Sequence, residues 1–452
     1  MQPCHNARRL YLFALVVVLC STTYAAAQPG TLDLTFANNG IFAAPGTLRG
    51  AQGGAIQSDG NIVVAGSGAF NQTSADTLIR LTPAGVLDQS FGSGGVVTIT
   101  NPGGSVYYVD GFFALAIQSN GKIVAAGAAQ LESGSVIVQV ARFQTNGSLD
   151  PSFGSGGFTT TTAITTTPYN SSASRNVALA LQPNGEILVA AGYSNLMARF
   201  TSSGQLDTTF GSGGIVNLAN AGASFSTAPT QIAVQKNGKI LVASGSLAPT
   251  PQLQAGTISR YNSNGSLDAT FGASGTAASV GSASALLLQS DGKIVVAGAL
   301  TSKINAAPAA NDVGFGIIRY TSSGSIDKTF GSGGVAIADF GANAPLSGAF
   351  ALAIQSNGDI VAAGAAAQGA ANLSFDSAFG LARFTSTGQL DSSFGSGGLV
   401  TTTILSGSSN VYSDVTGLAI QSDGKIVAAG NTAVDQGFGS GTGAYVARYL
   451  AQ

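Results

Sequence analysis

Seven times in this 452-residue chain a segment of the form Gly-x-Leu/Ile-Asp-x-Ser/Thr-Phe returns, with its aspartate at Asp33, Asp88, Asp150, Asp207, Asp268, Asp327 and Asp391. Successive aspartates lie 55, 62, 57, 61, 59 and 64 residues apart. Two further marks keep the same order. A Gln-x-x-Gly turn leading into an apolar run starts at Gln57, Gln118, Gln182, Gln235, Gln289, Gln355 and Gln421. An arginine followed by an aromatic residue or Leu stands at Arg80, Arg142, Arg199, Arg260, Arg319, Arg383 and Arg448. A unit of about 60 residues repeated in this way is one supersecondary element that buries its apolar face only against its neighbours. Length alone would suggest about three domains, but internal repetition overrides that prior.

Each copy reads as four strands. Runs such as ALAIQ and KIVAAG flank Asp-Gly or Asn-Gly, the strongest short hairpin signal, for which two central residues with positive φ are expected. A third strand ends at the Arg-aromatic pair and a fourth follows FGSGG. Four sequential antiparallel strands per unit predict an all-β, single seven-bladed β-propeller, in which radial packing leaves only short, protected edges. The predicted blades are 51–104, 105–170, 171–222, 223–280, 281–342, 343–408 and 409–452, with 28–50 as a closing segment of the last. The final copy stops after Arg448 and Tyr449, where its Gly-x-Leu-Asp segment should follow, and the chain opens on that segment. The N-terminal strand, about 40–44, should therefore complete blade 7 as its outer strand, with Asp33 facing Arg448.

These motifs resemble the delta-60 repeat of exported bacterial proteins, and the resemblance covers essentially all of the chain beyond residue 27. It implies a β-propeller and carries no catalytic residues over. Small departures are Leu81 after Arg80, Ile326 for Leu, Ala37 for the Gly after Phe, and Ser244 within an Ala-Gly run.

Residues 1–27 have the grammar of a signal peptide: Arg8 and Arg9, an apolar run from Leu10 to Cys20, and Ala25-Ala26-Ala27 before a cleavage point at Gln28. Eleven apolar residues are too few to span a hydrocarbon core of roughly 30 Å, so no stable membrane anchor is expected. The reading predicts a secreted, periplasmic or cell-surface protein, with the export route left open because Arg8-Arg9 loosely resembles a twin-arginine signal. Removal of this segment takes Cys4, Cys20 and His5 with it. Disulfides, thiolate or imidazole metal sites, and Cys- or His-dependent nucleophilic catalysis are then excluded. Losing Arg8 and Arg9 from 18 basic residues leaves 16 against 20 acids, a net −4 with no basic field for nucleic acid.

In each complete copy Arg and Asp stand eight residues apart around a Gly, a spacing that suits a tight hairpin and places the two side chains across the ladder. Seven structural ion pairs are expected: Arg80 with Asp88, Arg142 with Asp150, Arg199 with Asp207, Arg260 with Asp268, Arg319 with Asp327, Arg383 with Asp391, and Arg448 with Asp33. The repeated glutamines should satisfy backbone or neighbouring-blade hydrogen bonds.

Because strands in a meander alternate direction, the tight turns collect on one face and the variable connections, including 67–76, 159–176, 300–313 and 365–377, on the other. Repeat proteins bind through the face where insertions gather, so the binding site is expected there. The acids assigned to it are Asp76, Asp110, Glu132, Asp312, Asp339, Asp376, Asp414 and Asp435; against Arg49, Arg175 and Lys303 they give a net −5, compared with +1 on the turn face. An acidic face favours cations, neutral glycans or basic protein segments. The leading expectation is a monomeric, non-enzymatic module that binds a protein or glycan, with no cofactor. One alternative is a carboxylate-based hydrolase or lyase, with Glu132 the first acid to test. Another is a calcium-binding surface protein, although no Asp-x-Asp-x-Asp run is present. Glycan binding has no Trp platform, which leaves Tyr107, Tyr108, Tyr169 and Tyr193 as substitutes.

Overall fold

The strand pairing in the computed structural model follows the repeat. It describes residues 28–44, 46, 48–70, 73–99, 106–131, 136–161, 177–191, 195–218, 228–245, 256–279, 281–301, 313–341, 347–367, 376–405, 411–434 and 441–451. Residues 1–27, where a signal peptide is expected, lie outside them.

Blade 1 contains β2 (Leu48–Ile56), β3 (Ile62–Phe70), β4 (Thr73–Leu81) and β5 (Val96–Ile99). Blade 2 contains β6 (Val106–Ile117), β7 (Ile123–Leu131), β8 (Val136–Phe143) and β9 (Phe158–Thr161), and blade 3 β10 (Val177–Leu181), β11 (Ile187–Ala191), β12 (Leu196–Phe200) and β13 (Ile215–Asn217). Blade 4 contains β14 (Ala228–Val234), β15 (Ile240–Gly245), β16 (Thr257–Tyr261) and β17 (Thr276–Ala278), and blade 5 β18 (Ala285–Leu288), β19 (Ile294–Thr301), β20 (Val313–Tyr320) and β21 (Val335–Ala338). Blade 6 contains β22 (Gly348–Ile354), β23 (Ile360–Ala367), β24 (Ser377–Phe384) and β25 (Leu399–Thr402). Blade 7 joins β26 (Val411–Ile420), β27 (Ile426–Val434) and β28 (Gly441–Tyr449) to the N-terminal β1 (Ile41–Ala43), in the sheet order β1-β28-β27-β26.

The protein is thus an all-β, seven-bladed propeller of four antiparallel strands per blade, closed by its own N-terminal strand. Ile41, Phe42 and Ala43 pair with Ala447, Val446 and Tyr445. The Gly30 amide donates to the Leu450 carbonyl at 2.8 Å, and the Leu450 amide returns a bond to Thr31 at 2.9 Å. Apolar burial is shared between neighbours. The cluster holding Phe113, Val138, Phe153, Ile187 and Phe200 joins blades 2 and 3, and the one holding Phe36, Ile62, Ile79, Val427 and Val446 joins blades 7 and 1.

The tight hairpins differ in one detail from the expectation of two positive φ values. In the turn at Gln57 only Gly60 is left-handed (φ 86°), the Gly60 amide donates to the Gln57 carbonyl, and the Gln57 amide donates to the Asn61 carbonyl. This is a type I turn followed by a left-handed bulge residue, the three-residue hairpin solution. Asp59 caps it by accepting from the Asn61 amide at 3.0 Å.

The seven arginines connect blades as well as strands. In the six complete copies Nε donates to the partner aspartate's Oδ2 at 2.6–2.9 Å, and in the closing copy Arg448 Nη2 lies 2.8 Å from Asp33 Oδ2. In every copy Nη1 donates to a backbone carbonyl in the next blade's third-to-fourth-strand turn: Thr145, Ser202, Ser263, Ser322, Ser386 and Ala451, and then, from Arg448, Pro83 of blade 1. Each guanidinium also lies 4.4–4.7 Å above the motif's Phe ring, from Phe91 round to Phe36. The arginines are only 5–7% exposed. The pairs are buried on the arginine side, and at Asp33, Asp150, Asp268 and Asp327 on the aspartate side as well, so the small energies of surface ion pairs do not apply to those four. Gln57, Gln355 and Gln421 accept from the same Nη1 atoms at 3.3–3.4 Å, which puts the glutamines of those blades inside the joint.

This environment holds the aspartates ionised. Burial alone would raise the Asp33 carboxyl, but the Thr35 hydroxyl and amide, Lys425 and Arg448 outweigh it and lower the group from 3.8 to about 2. In Asp88, Asp207 and Asp327 the hydroxyl two residues on leads the lowering. In Asp150, Asp268 and Asp391 burial pushes upward and is overcome by sets led by Lys122, Lys239 and Ser393.

Three outcomes follow for stability. Arg260→Ala leaves Asp268 buried beside Lys239 alone, and a loss of about 3 kcal/mol is expected in urea unfolding, whereas the exposed Lys236→Ala should stay within about 0.5 kcal/mol. The aspartates titrate lower in the folded than in the unfolded chain, so the folded protein binds fewer protons. Stability present above about pH 4 should then be lost as the pH falls toward 2; a thermal midpoint unchanged between pH 5 and pH 2 would contradict this. Deleting residues 28–44 unpairs the edge of β28 and removes the partner of Arg448. The truncated chain should melt lower and self-associate at that edge, and a 28–44 peptide added in trans should reverse both effects.

Candidate functional site

The innermost strands of the seven blades surround a channel of about 550 Å³, which is the candidate site. Its wall is shaped by β-bulges. In β2, β6, β14, β22 and β26 the ladder skips Gln52, Phe113, Thr230, Phe350 and Thr416 respectively, each five residues before the repeated Gln, and it also skips Arg49 in β2 and Tyr107 and Asp110 in β6. The five that precede the Gln line the channel, as do Val177 and Ser284 at the same position in blades 3 and 5. A bulge bends its strand and re-aims a side chain, which is why bulges recur beside functional sites.

The wall is not seven-fold symmetric. Blades 2 to 6 contribute mainly apolar groups, such as Phe113, Leu179, Leu286 and Leu352, while Arg49, Ser67, Tyr412, Asp414 and Asn431 all come from blades 1 and 7. Asp414 and Asn431 are linked, with Thr416, to the backbone of β2. Asn431 Nδ2 donates to Asp414 Oδ1 at 3.2 Å, the Ala51 amide donates to Asn431 Oδ1 at 2.7 Å, and Thr416 Oγ1 donates to the Ala51 carbonyl at 2.9 Å. Burial pushes the Asp414 carboxyl up from 3.8 to about 6, against the partial opposition of Asn431. The Tyr412 hydroxyl is also raised, first by burial and then by the Asp414 charge. Among the described residues neither Asp414 nor Arg49 has an ion-pair partner, unlike the seven motif aspartates.

The junction is also cleared of side chains. Where blades 2 and 6 carry Ala114-Leu115 and Ala351-Leu352, blade 1 carries Gly53-Gly54. Neither glycine has a left-handed φ, and a Cβ would meet only ordinary contacts, nearest Phe113 O at 3.6 Å for Gly53 and Ala429 Cβ at 3.5 Å for Gly54. Backbone geometry therefore does not require glycine at either position. What the two residues leave is space, toward blade 2 at Gly53 and toward blade 7 at Gly54, where it meets a narrow apolar recess of about 10 Å³ walled by Ile56, Ile62, Leu418 and Val427.

The eight acids singled out from sequence are dispersed. Asp414 is on the channel wall, in strand β26 and not in a loop. Asp76 lies in β4 and is fully buried, where Gln139 of blade 2 donates to it, so it ties two blades together. The segment 67–76 is mostly the β3–β4 hairpin, with strands longer than the variable-loop reading allowed. Asp376 is half-buried and accepts from the Val411 amide at 2.6 Å, fixing the start of β26. Asp339 is exposed and accepts from the Gly341 amide at 2.8 Å. Asp110 belongs to β6, but its side chain, together with Glu132, Asp312, Asp435 and the substitute tyrosines Tyr169 and Tyr193, falls outside the described residues. Among the described residues no three acids gather in a group that could hold calcium or another metal ion, and no helix is long and apolar enough to cross a membrane. Sequence reasoning missed Tyr412, Thr416 and Asn431 as channel residues. The available signal was the break in the repeat at blades 7 and 1, where Gly53-Gly54 replaces Ala-Leu.

No curated protein matches the chain in sequence. Solved structures of similar fold include a catalytically inactive virginiamycin B lyase from Staphylococcus aureus with quinupristin, at 14% identity over 90% of this chain and 98% of that one, with a TM-score of 0.48. Polysaccharide lyase Uly1 is similar at 11% identity over 96% and 94% of the two chains, TM-score 0.44. An α-L-arabinofuranosidase from Fusarium graminearum is similar at 8% identity over 91% and 98%, TM-score 0.42. At such identities and scores these likenesses say nothing about activity. The sequence profile of a β-propeller domain of unknown function matches residues 57–91, 118–153, 182–210, 235–271, 289–330, 355–394 and 421–452, one segment in each blade. With more than half of its length matched, the chain belongs to the DUF5122 β-propeller family.

Proposed function

We propose that this protein is an exported, non-enzymatic propeller of the delta-60 type that acts as a binding module, taking a protein or glycan at or outside the cell surface through its variable-loop face and the channel that opens beneath it. The signal-peptide grammar of residues 1–27 supports export. The observation that carries the binding reading is that the charged residues of the channel lining, Arg49 and Asp414, with Tyr412 and Asn431, come from one of seven otherwise equivalent blade junctions, while blades 4 and 5 add the neutral Thr230, Gln231 and Ser284. Scaffold requirements repeat with the blades, whereas a group present at one junction alone answers to something else. A mostly apolar concave site with a few convergent polar groups is the usual form of a binding pocket.

A carboxylate hydrolase is the second reading, favoured by the Asp414 carboxyl near 6, a value suited to proton transfer close to neutrality. Paired-acid hydrolysis needs two carboxylates roughly 5 to 10 Å apart, and Asp414 is the one acid lining the channel among the described residues.

Residues 28–452, immobilised and probed with glycan and peptide arrays, should retain a set of ligands that Asp414→Asn loses by about tenfold, equivalent to about 1.4 kcal/mol, while the turn-face Lys236→Ala keeps it. Retention that depends on the Asp414 carboxylate should also weaken as the pH falls through about 6. Equal retention by wild type and Asp414→Asn would sink the channel reading, and turnover of an array ligand would move the case to the hydrolase.

A further inference from the structure

The channel mouth holds one carboxylate and one guanidinium from adjacent blades that do not pair with each other. Each of the seven motif aspartates, by contrast, is neutralised within its own joint by an arginine, and Asp33, Asp150, Asp268 and Asp327 meet a lysine as well, while Asp76 and Asp376 are held by Gln139 and by the Val411 amide. Asp414 has only the neutral side chains of Asn431 and Tyr412 beside it, and the exposed Arg49 lines the same channel. A half-buried carboxylate without a counter-charge is costly to keep ionised. A ligand cation would relieve that cost, and an anionic group on the same ligand would meet Arg49. Between the two blades Gly54 leaves room on the side of Ala429 that nothing in its backbone requires, bordered by a narrow apolar recess.

We propose that the junction of blades 7 and 1 binds a free α-amino acid, with its ammonium on Asp414, its carboxylate on Arg49 and an apolar side chain in the space beside Gly54. This inference rests on the binding-module reading and names the chemistry of the group that occupies the channel. Asn431 is a positioning residue here, since it holds Asp414 by one end of its amide and the β2 backbone by the other.

Titration calorimetry on residues 28–452 with three probes of one carbon skeleton tests it: L-leucine, isoamylamine, which lacks the carboxylate, and 4-methylpentanoate, which lacks the ammonium. L-leucine should bind at least tenfold tighter than either. Asp414→Asn should weaken L-leucine and isoamylamine and spare 4-methylpentanoate, and Arg49→Ala should do the reverse. Gly54→Ala, whose new methyl meets only ordinary contacts, should weaken L-leucine more than glycine while leaving the thermal midpoint close to wild type. The dipeptide leucyl-glycine, in which the leucine carboxyl is an amide, should bind more weakly than L-leucine, and tighter binding would overturn the assignment in favour of a peptide end. No binding of L-leucine, or equal binding of the amine alone, overturns the proposal. If an array ligand is retained and L-leucine does not compete with it, the amino-acid assignment fails and the module reading stands. If L-leucine binds and no array ligand is retained, the module reading fails instead.

Discussion

One arginine per blade holds the ring together. Its Nε grips an aspartate eight residues on, its Nη1 reaches a carbonyl of the next blade, and its face lies on a phenylalanine from the same seven-residue motif. Planarity makes this joint geometrically specific: a guanidinium offers several donors in a fixed fork and a flat face for an aromatic ring, which a lysine ammonium does not. Because each joint spans two blades, the seven form a closed circuit, and the last link runs from Arg448 back to Pro83 of blade 1. The circuit closes only if the N-terminal segment supplies Asp33 and Phe36 to blade 7, which ties the two ends of the chain to the stability of the whole.

The closure carries some visible imperfections. In the closing copy Ala37 and Asn39 take the left-handed φ values, 45° and 52°, that Gly92 and Gly94 take in blade 1. Side chains in that conformation are strained by roughly 1 kcal/mol each. The same junction departs from symmetry on its inner side, where Gly53-Gly54, Arg49 and Asp414 replace the apolar pattern of the other blades. The other junctions line the channel with apolar and neutral polar side chains, and the seventh combines the clasp with the charged residues of the candidate site.

The repeat made most of the scaffold legible. Blade number, strand count, the completion of blade 7 by the N-terminal strand and the facing of Asp33 and Arg448 all followed from period, alternation and the half-motif at each end. The hairpin geometry was less legible, because Asp-Gly is compatible with two turn types and only the loop length seen in the fold selects between them. Burial of the arginine pairs was not legible at all. Within one blade the Arg and Asp look like a surface hairpin pair, and only the neighbouring blade covers them. Of the eight acids assigned to the variable face, Asp76, Asp376 and Asp339 bond to a neighbouring glutamine or to backbone amides, because strands extend further toward that face than repeat spacing indicates.

What the sequence determined by itself was the ring, since a seven-fold repeat of alternating strands has one economical way to bury its faces and the split motif fixes where the ring closes. Only the tertiary structure decided which of the scattered polar residues meet. Asp414 and Arg49 are separated by 365 positions in the chain and share a channel because closure sets blade 7 against blade 1. The bulges then turn the innermost strands so that their side chains face the channel. Repeat periodicity carries information about positions that are alike in every blade, and the candidate site is built from the positions that are not.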